Sequence, residues 1–170
     1  MTAAAIFVVF PLCLAIAAFA DLISMTIPNR VSLILSISFL IIAPFTGMPI
    51  PVIGMHLAAG LAVFCGCFAL FALNVMGGGD AKLLTATALW FGFNQSLILF
   101  ICCVGVIGGL LTFAILMIRS RSNTILAIGL PVPNSLLLAK KIPYGIAIAI
   151  GGFMAFPYSP MLTNALETLK

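Results

Sequence analysis

The sequence predicts an all-α integral membrane protein of about six transmembrane helices, and two observations carry that prediction. Of 170 residues, 64% are hydrophobic and 6% charged, against roughly 25% charged in an average soluble domain. The apolar residues also gather in runs close to the ~20 residues that carry a helix across a bilayer core of about 30 Å. This length accommodates about five or six such runs joined by short connections. Residues 1–170 are therefore expected to form a single polytopic membrane domain, and the net charge of +4 is read as an orientation signal rather than a nucleic-acid footprint.

The first run, Ala3 to Ala20, is free of charge and stops at Asp21. Its end, Ala18-Phe19-Ala20, resembles a signal-peptide cleavage site, but the positive start of such a peptide is missing. The run is therefore taken as a first transmembrane helix with its amino terminus outside. Leu22 to Arg30 is polar, and Pro28 biases Ile27 away from helix, which predicts a turn. A second span covers Val31 to Phe45, and the uncharged stretch Pro44 to Gly54 reads as a short outer loop. His56 follows it, with no carboxylate or second histidine nearby in the sequence, and is expected at the interface rather than in catalysis. A third span, Met55 to Val75, delivers the chain to Met76-Gly77-Gly78-Gly79-Asp80-Ala81-Lys82-Leu83-Leu84. Ala81 to Phe93 is a shorter helix, the sixth span if it crosses. Asn94 to Ser96 is a polar turn, and Leu97 to Ile118 is a long span whose Gly105, Gly108 and Gly109 permit close helix contact. Arg119 to Lys141, with Pro131 and Pro133 in its middle, is too broken to cross and is expected partly in the interface. Ile142 to Phe156 is the last span, and Tyr158 to Lys170 is a tail.

Orientation follows from the cations. With the amino terminus outside, inner connections hold Arg30, Lys82, Arg119, Arg121, Lys140 and Lys141, and the outer side holds Lys170 alone. The positive-inside rule selects this arrangement, with both chain ends outside.

The chain has only three carboxylate side chains, Asp21, Asp80 and Glu167, and an acid beside a membrane span is costly enough to mark function. Asp21 closes the first span and Asp80 follows the third, so two crossings bring both to the inner boundary. Two carboxylates in one partly dry site share a proton, one acting as general base and the other as general acid. Gly77, Gly78 and Gly79 allow backbone conformations closed to other residues and let a substrate backbone come close. Asp80 also suits a helix N-cap, Asp21 suits an interfacial loop, and Lys82 suits a headgroup contact or support for the motif. Helix dipoles place the proton on Asp21, at a helix C-terminus, and the charge on Asp80, before a helix N-terminus.

The five cysteines all lie in apolar runs without a CxxC pair, so neither a metal site nor another cofactor is expected. A proton-coupled transporter subunit is the competing class, since buried carboxylates also relay protons. Its sites sit near the bilayer midplane. A noncatalytic assembly scaffold would keep the spans and not depend on both acids.

Gly77-Gly78-Gly79-Asp80 matches a GxGD motif. With Asp21, the Ile27-Pro28-Asn29 turn, Ala81-Lys82-Leu83-Leu84 and the late Lys141-Ile142-Pro143-Tyr144-Gly145, it resembles the type IV prepilin peptidases, membrane aspartic peptidases of the GxGD kind. The larger members carry an insert with paired CxxC motifs and a second, N-methylating activity. This chain has neither and is similar to the short peptidase-only members of tight-adherence (Flp) pili, the CpaA/TadV type. The resemblance implies cleavage of leaders from prepilins or pseudopilins in the bacterial inner membrane, with Asp21 and Asp80 as the catalytic pair on the cytoplasmic side and no metal. Implied partners are those substrates, membrane lipids and pilus assembly machinery, with no nucleic acid.

Overall fold

The uninterrupted apolar runs leave the backbone no solvent to bond with, so it satisfies its own hydrogen bonds as helix. In the computed structural model, which describes residues 2–120 and 142–167, the elements are α1 (Thr2–Ser24), α2 (Asn29–Ile42), α3 (Ile50–Ala72), α4 (Gly78–Ala88), α5 (Gln95–Ser120), α6 (Tyr144–Ala155) and α7 (Pro160–Glu167), with no strand among the described residues. Short 3-10 turns, Ala43–Thr46 and Phe156–Tyr158, follow α2 and α6. Five segments are long and apolar enough to cross a membrane: Thr2–Ser24, Asn29–Thr46, Ile50–Ala72, Gln95–Ser120 and Tyr144–Glu167. Phe19, Ile23, Leu61, Val106, Leu110 and Phe113 are among many large apolar side chains left exposed, a surface that suits lipid rather than water. The chain is an all-α membrane protein.

The expected sixth span is α4, whose 11 residues rise only about 16 Å at 1.5 Å per residue. It does not have to match the bilayer thickness, because it is buried inside the bundle: Leu83, Ala86, Thr87 and Ala88, then Trp90 and Phe91, have almost no exposed surface. It runs antiparallel to α3. Gly78 lies against the Phe71 ring near the end of α3, and the carbonyl of Leu89 accepts a 2.7 Å hydrogen bond from His56 Nδ1 near its start. The chain thus returns to the opposite end of the bundle before α5 begins. Gly92 makes the reversal at φ 68°, and the Asn94 side chain caps α5, its Oδ1 accepting from the Ser96 N–H at 2.7 Å.

Aromatic packing joins the helices at that end. Phe10 of α1 stacks on Phe156 with ring centroids 4.7 Å apart and meets Trp90 at 5.1 Å. Buried indole nitrogens require a partner, and Trp90 Nε1 donates to the Leu35 carbonyl at 3.1 Å. Ser159 Oγ closes the group by donating to the Trp90 carbonyl at 2.6 Å.

Several expectations are corrected. Helix α3 begins at Ile50, inside the stretch read as a loop, with Pro49 as its N-cap and a proline in its first turn, where the missing N–H costs nothing. His56 is 1% exposed, stacked on Phe39 at 5.5 Å, so it packs between helices near the start of α3. Of the three glycines in α5, Gly108 packs against the Tyr144 ring, whereas a Cβ on Gly105 or Gly109 would meet nothing within 4 Å among the described residues. Arg121 to Lys141, which hold most of the expected interfacial connection, and Lys170 lie outside the described residues.

Candidate active site

Asp21 belongs to the last turn of α1, which continues to Ser24 before Met25 ends it in the left-handed region at φ 52°. Asp21 is 5% exposed. Its Oδ2 accepts a 2.6 Å hydrogen bond from the backbone N–H of Gly145, in the first turn of α6. That turn places free N–H groups and the positive end of a helix dipole against the acid. A side chain at Gly145 would force its neighbours to move, since its Cβ would lie 2.9 Å from Asp21 Oδ2 and 3.0 Å from Ile27 Cδ1.

Asp80 arrives on the other helix that starts at this end. The N-cap of α4 is Gly77, so Asp80 is the third helical residue rather than the cap. Its carboxyl folds back toward the start of the helix, where a Cβ on Gly77 would lie 2.8 Å from Asp80 Oδ2. Acids in a first turn are favoured by the dipole. The glycines have a different use from the one expected: none has a positive φ, and what they provide is close approach. A Cβ on Gly78 would lie 3.3 Å from the Phe71 ring, and one on Gly79 would lie 3.3 Å from Ile27 Cβ. Ile27, in the turn after α1, is therefore wedged between the starts of α4 and α6.

Asp21 and Asp80 line one cleft of about 840 Å³, together with Gly77, Gly78 and Gly79, Met25, Asn74 and Tyr144. Two of its lining residues, Met25 at φ 52° and Asn74 at φ 58°, are non-glycine residues with positive φ. Asn tolerates that region, whereas for Met it costs about 1–2 kcal/mol. Both end the helices that lead into the cleft, α1 and α3. Lys82 is exposed and lies beside the cleft rather than in it, donating from Nζ to Asn29 Oδ1 at 3.0 Å. Among the described residues, no three His, Cys, Asp or Glu side chains gather to hold a metal ion.

The dipole assignment of the proton is not supported by this geometry. Asp21 does sit at the C-terminus of α1, but it also accepts from the N-terminus of α6, so both acids face a positive helix end. Gly145 and Ile27 are the residues that local sequence reasoning missed as site-builders. Only the late Ile142-Pro143-Tyr144-Gly145 segment offered a signal for Gly145, and nothing in it announced Asp21 as its partner.

No curated protein and no solved structure matched the chain. A model of the type IV leader peptidase family matches residues 8–113, a range that includes Asp21, the glycine run and Asp80 and stops short of Gly145. On that match, which covers more than half of the sequence, the chain belongs to the type IV leader peptidase family.

Proposed function

We propose that this peptidase is an aspartic endopeptidase that removes the amino-terminal leader from type IV or Flp prepilins, or from pilin-like proteins, at the cytoplasmic face of the bacterial inner membrane. The observation that carries the proposal is that Asp21 and Asp80, two of three carboxylates in the chain, line one cleft at the same end of the bundle. Two acids in such a cleft hold one proton between them. The charged member takes a proton from water as it attacks the scissile carbonyl, and the protonated member donates to that carbonyl oxygen. The Gly145 N–H holds Asp21 in place, and the bare backbone of Gly77 to Gly79 leaves room for an extended substrate strand. The transporter alternative is disfavoured by family membership.

Charge supports the cytoplasmic assignment: Arg30, Lys82 and Arg119 all lie toward the aspartate end, the side that the positive-inside rule places in the cytoplasm. The sequence carries no paired CxxC motif, so the proposed activity is cleavage without N-methylation, of the CpaA/TadV type. Prepilins, membrane lipids and pilus assembly machinery are its proposed partners. The test is co-expression with candidate prepilins, scoring leader loss for wild type, Asp21→Asn and Asp80→Asn. Processing by either variant at the wild-type rate would remove the two-acid mechanism.

A further inference from the structure

Ile27 lies in the turn between α1 and α2, and the backbone of that turn is held on both sides. Met25 closes α1 by donating its N–H to the Asp21 carbonyl at 2.9 Å. Pro28, at φ −62° and ψ 129°, keeps the residue before it extended. The turn is also docked on α4 at two places. A Cβ on Gly79 would lie 3.7 Å from the Ile27 nitrogen and 3.8 Å from its carbonyl oxygen, and Lys82 Nζ donates to Asn29 Oδ1 at 3.0 Å.

From this fixed turn the Ile27 side chain crosses from one helix start to another. At its root, a Cβ on Gly79 would lie 3.3 Å from Ile27 Cβ; at its tip, a Cβ on Gly145 would lie 3.0 Å from Ile27 Cδ1. Gly79 immediately precedes Asp80, and Gly145 supplies the N–H that bonds Asp21. Each end of one side chain therefore rests on the residue that places one of the two acids. The side chain is buried, and its β branch restricts χ1, so it acts as a stiff spacer. How strongly two carboxylates share a proton depends on the distance between them.

We propose that Ile27 is a positioning residue that sets the separation of the Asp21 and Asp80 carboxyls. The role rests on the reading of these acids as one proton-sharing pair. Shortening the side chain lets the starts of α4 and α6 close on each other, which brings the acids nearer and takes them off the geometry for attack. An apolar side chain at this place could otherwise fill the core or touch the substrate, and two measurements separate the three roles.

Asp21 and Asp80 are the aspartates of the chain, so infrared titration of the full-length protein carrying isotope-labelled aspartate, in detergent, reports the pair alone and needs no substrate. Tyr144 lines the same cleft and Lys82 stands beside it, but neither carries the label. In Ile27→Ala the two titration steps of the pair should move apart. Its kcat on a synthetic leader peptide should fall on the order of 100-fold, as for a catalytic group displaced by about 1 Å, with KM unchanged. Ile27→Val, which loses Cδ1 alone, should change both readouts in the same direction by less, and it decides the matter if Ile27→Ala is too unstable to titrate. Ile6→Ala removes a buried isoleucine about 20 Å away along α1. It should lower the melting temperature, followed by emission of Trp90, the sole and fully buried tryptophan, and leave both readouts unchanged. Titration steps that stay in place in both Ile27 variants would overturn the proposal and leave Ile27 as core packing. A raised KM at wild-type kcat would overturn it too, making Ile27 a substrate contact. Should wild type cleave no leader, the peptidase reading falls and the titration still decides the spacing.

Discussion

The backbone N–H of Gly145 donates to Asp21 Oδ2 at 2.6 Å, joining two residues 124 positions apart. The contact fixes one acid of the cleft against the first turn of α6, and Asp80 occupies the first turn of α4. Each carboxyl is thus held by a helix start that lacks a bulky residue.

Replacement of either acid tests the proposed chemistry most directly. Asp21→Asn and Asp80→Asn should each lower leader cleavage by about 10²–10⁴-fold, the usual size of an acid–base contribution, with membrane-fraction abundance unchanged. Glu167→Gln should process normally, because Glu167 ends α7 at the far end of the bundle. Processing assays and immunoblots of the same membranes give both readouts.

Gly145→Ala should impair cleavage without unfolding the protein. The added Cβ falls 3.0 Å or less from Asp21 and Ile27 atoms, so the carboxyl must shift, and displacing a catalytic group by about 1 Å costs on the order of 100-fold. Gly105→Ala and Gly109→Ala meet nothing within 4 Å among the described residues and should be silent. The comparison is made on turnover of a synthetic leader peptide, and equal activity in all three variants would count against Gly145 as a positioning residue.

At the opposite end, Gly92→Ala should destabilise the fold. A side chain at φ 68° costs about 1–2 kcal/mol, and its Cβ would also lie 2.7 Å from the His56 ring. A melting temperature lower by about 2–8 °C is expected, followed by Trp90 emission in detergent. His56→Ala should also lower it, by leaving the Leu89 carbonyl unbonded and opening a space beside Phe39.

Topology can be read with single cysteines placed in a cysteine-free background. Ser24 and Thr163 are both exposed, Ser24 beside the aspartate cleft and Thr163 on α7 at the other end. A membrane-impermeant thiol reagent added to intact cells should label Thr163→Cys and reach Ser24→Cys only after permeabilisation. The reverse pattern would put the cleft outside.

The sequence by itself determined the class of the protein and the identity of its candidate acids. Apolar runs of membrane length can only be helices, and a chain with three carboxylates makes each of them conspicuous. Counting crossings was enough to bring Asp21 and Asp80 to one end, because topology depends on the parity of the spans and not on where each one stops. Sequence could not decide what holds the acids. A run of three glycines signals either unusual dihedral angles or close approach. Only the packed structure shows the second, with Phe71 against Gly78 and Ile27 against Gly79. Nor could it decide the dipole at Asp21, which depends on a helix beginning at Tyr144 and docking from across the chain. Nor could it decide the burial of His56: hydropathy along the chain reports that a residue lies near a loop, and burial is decided by the helix that packs over it.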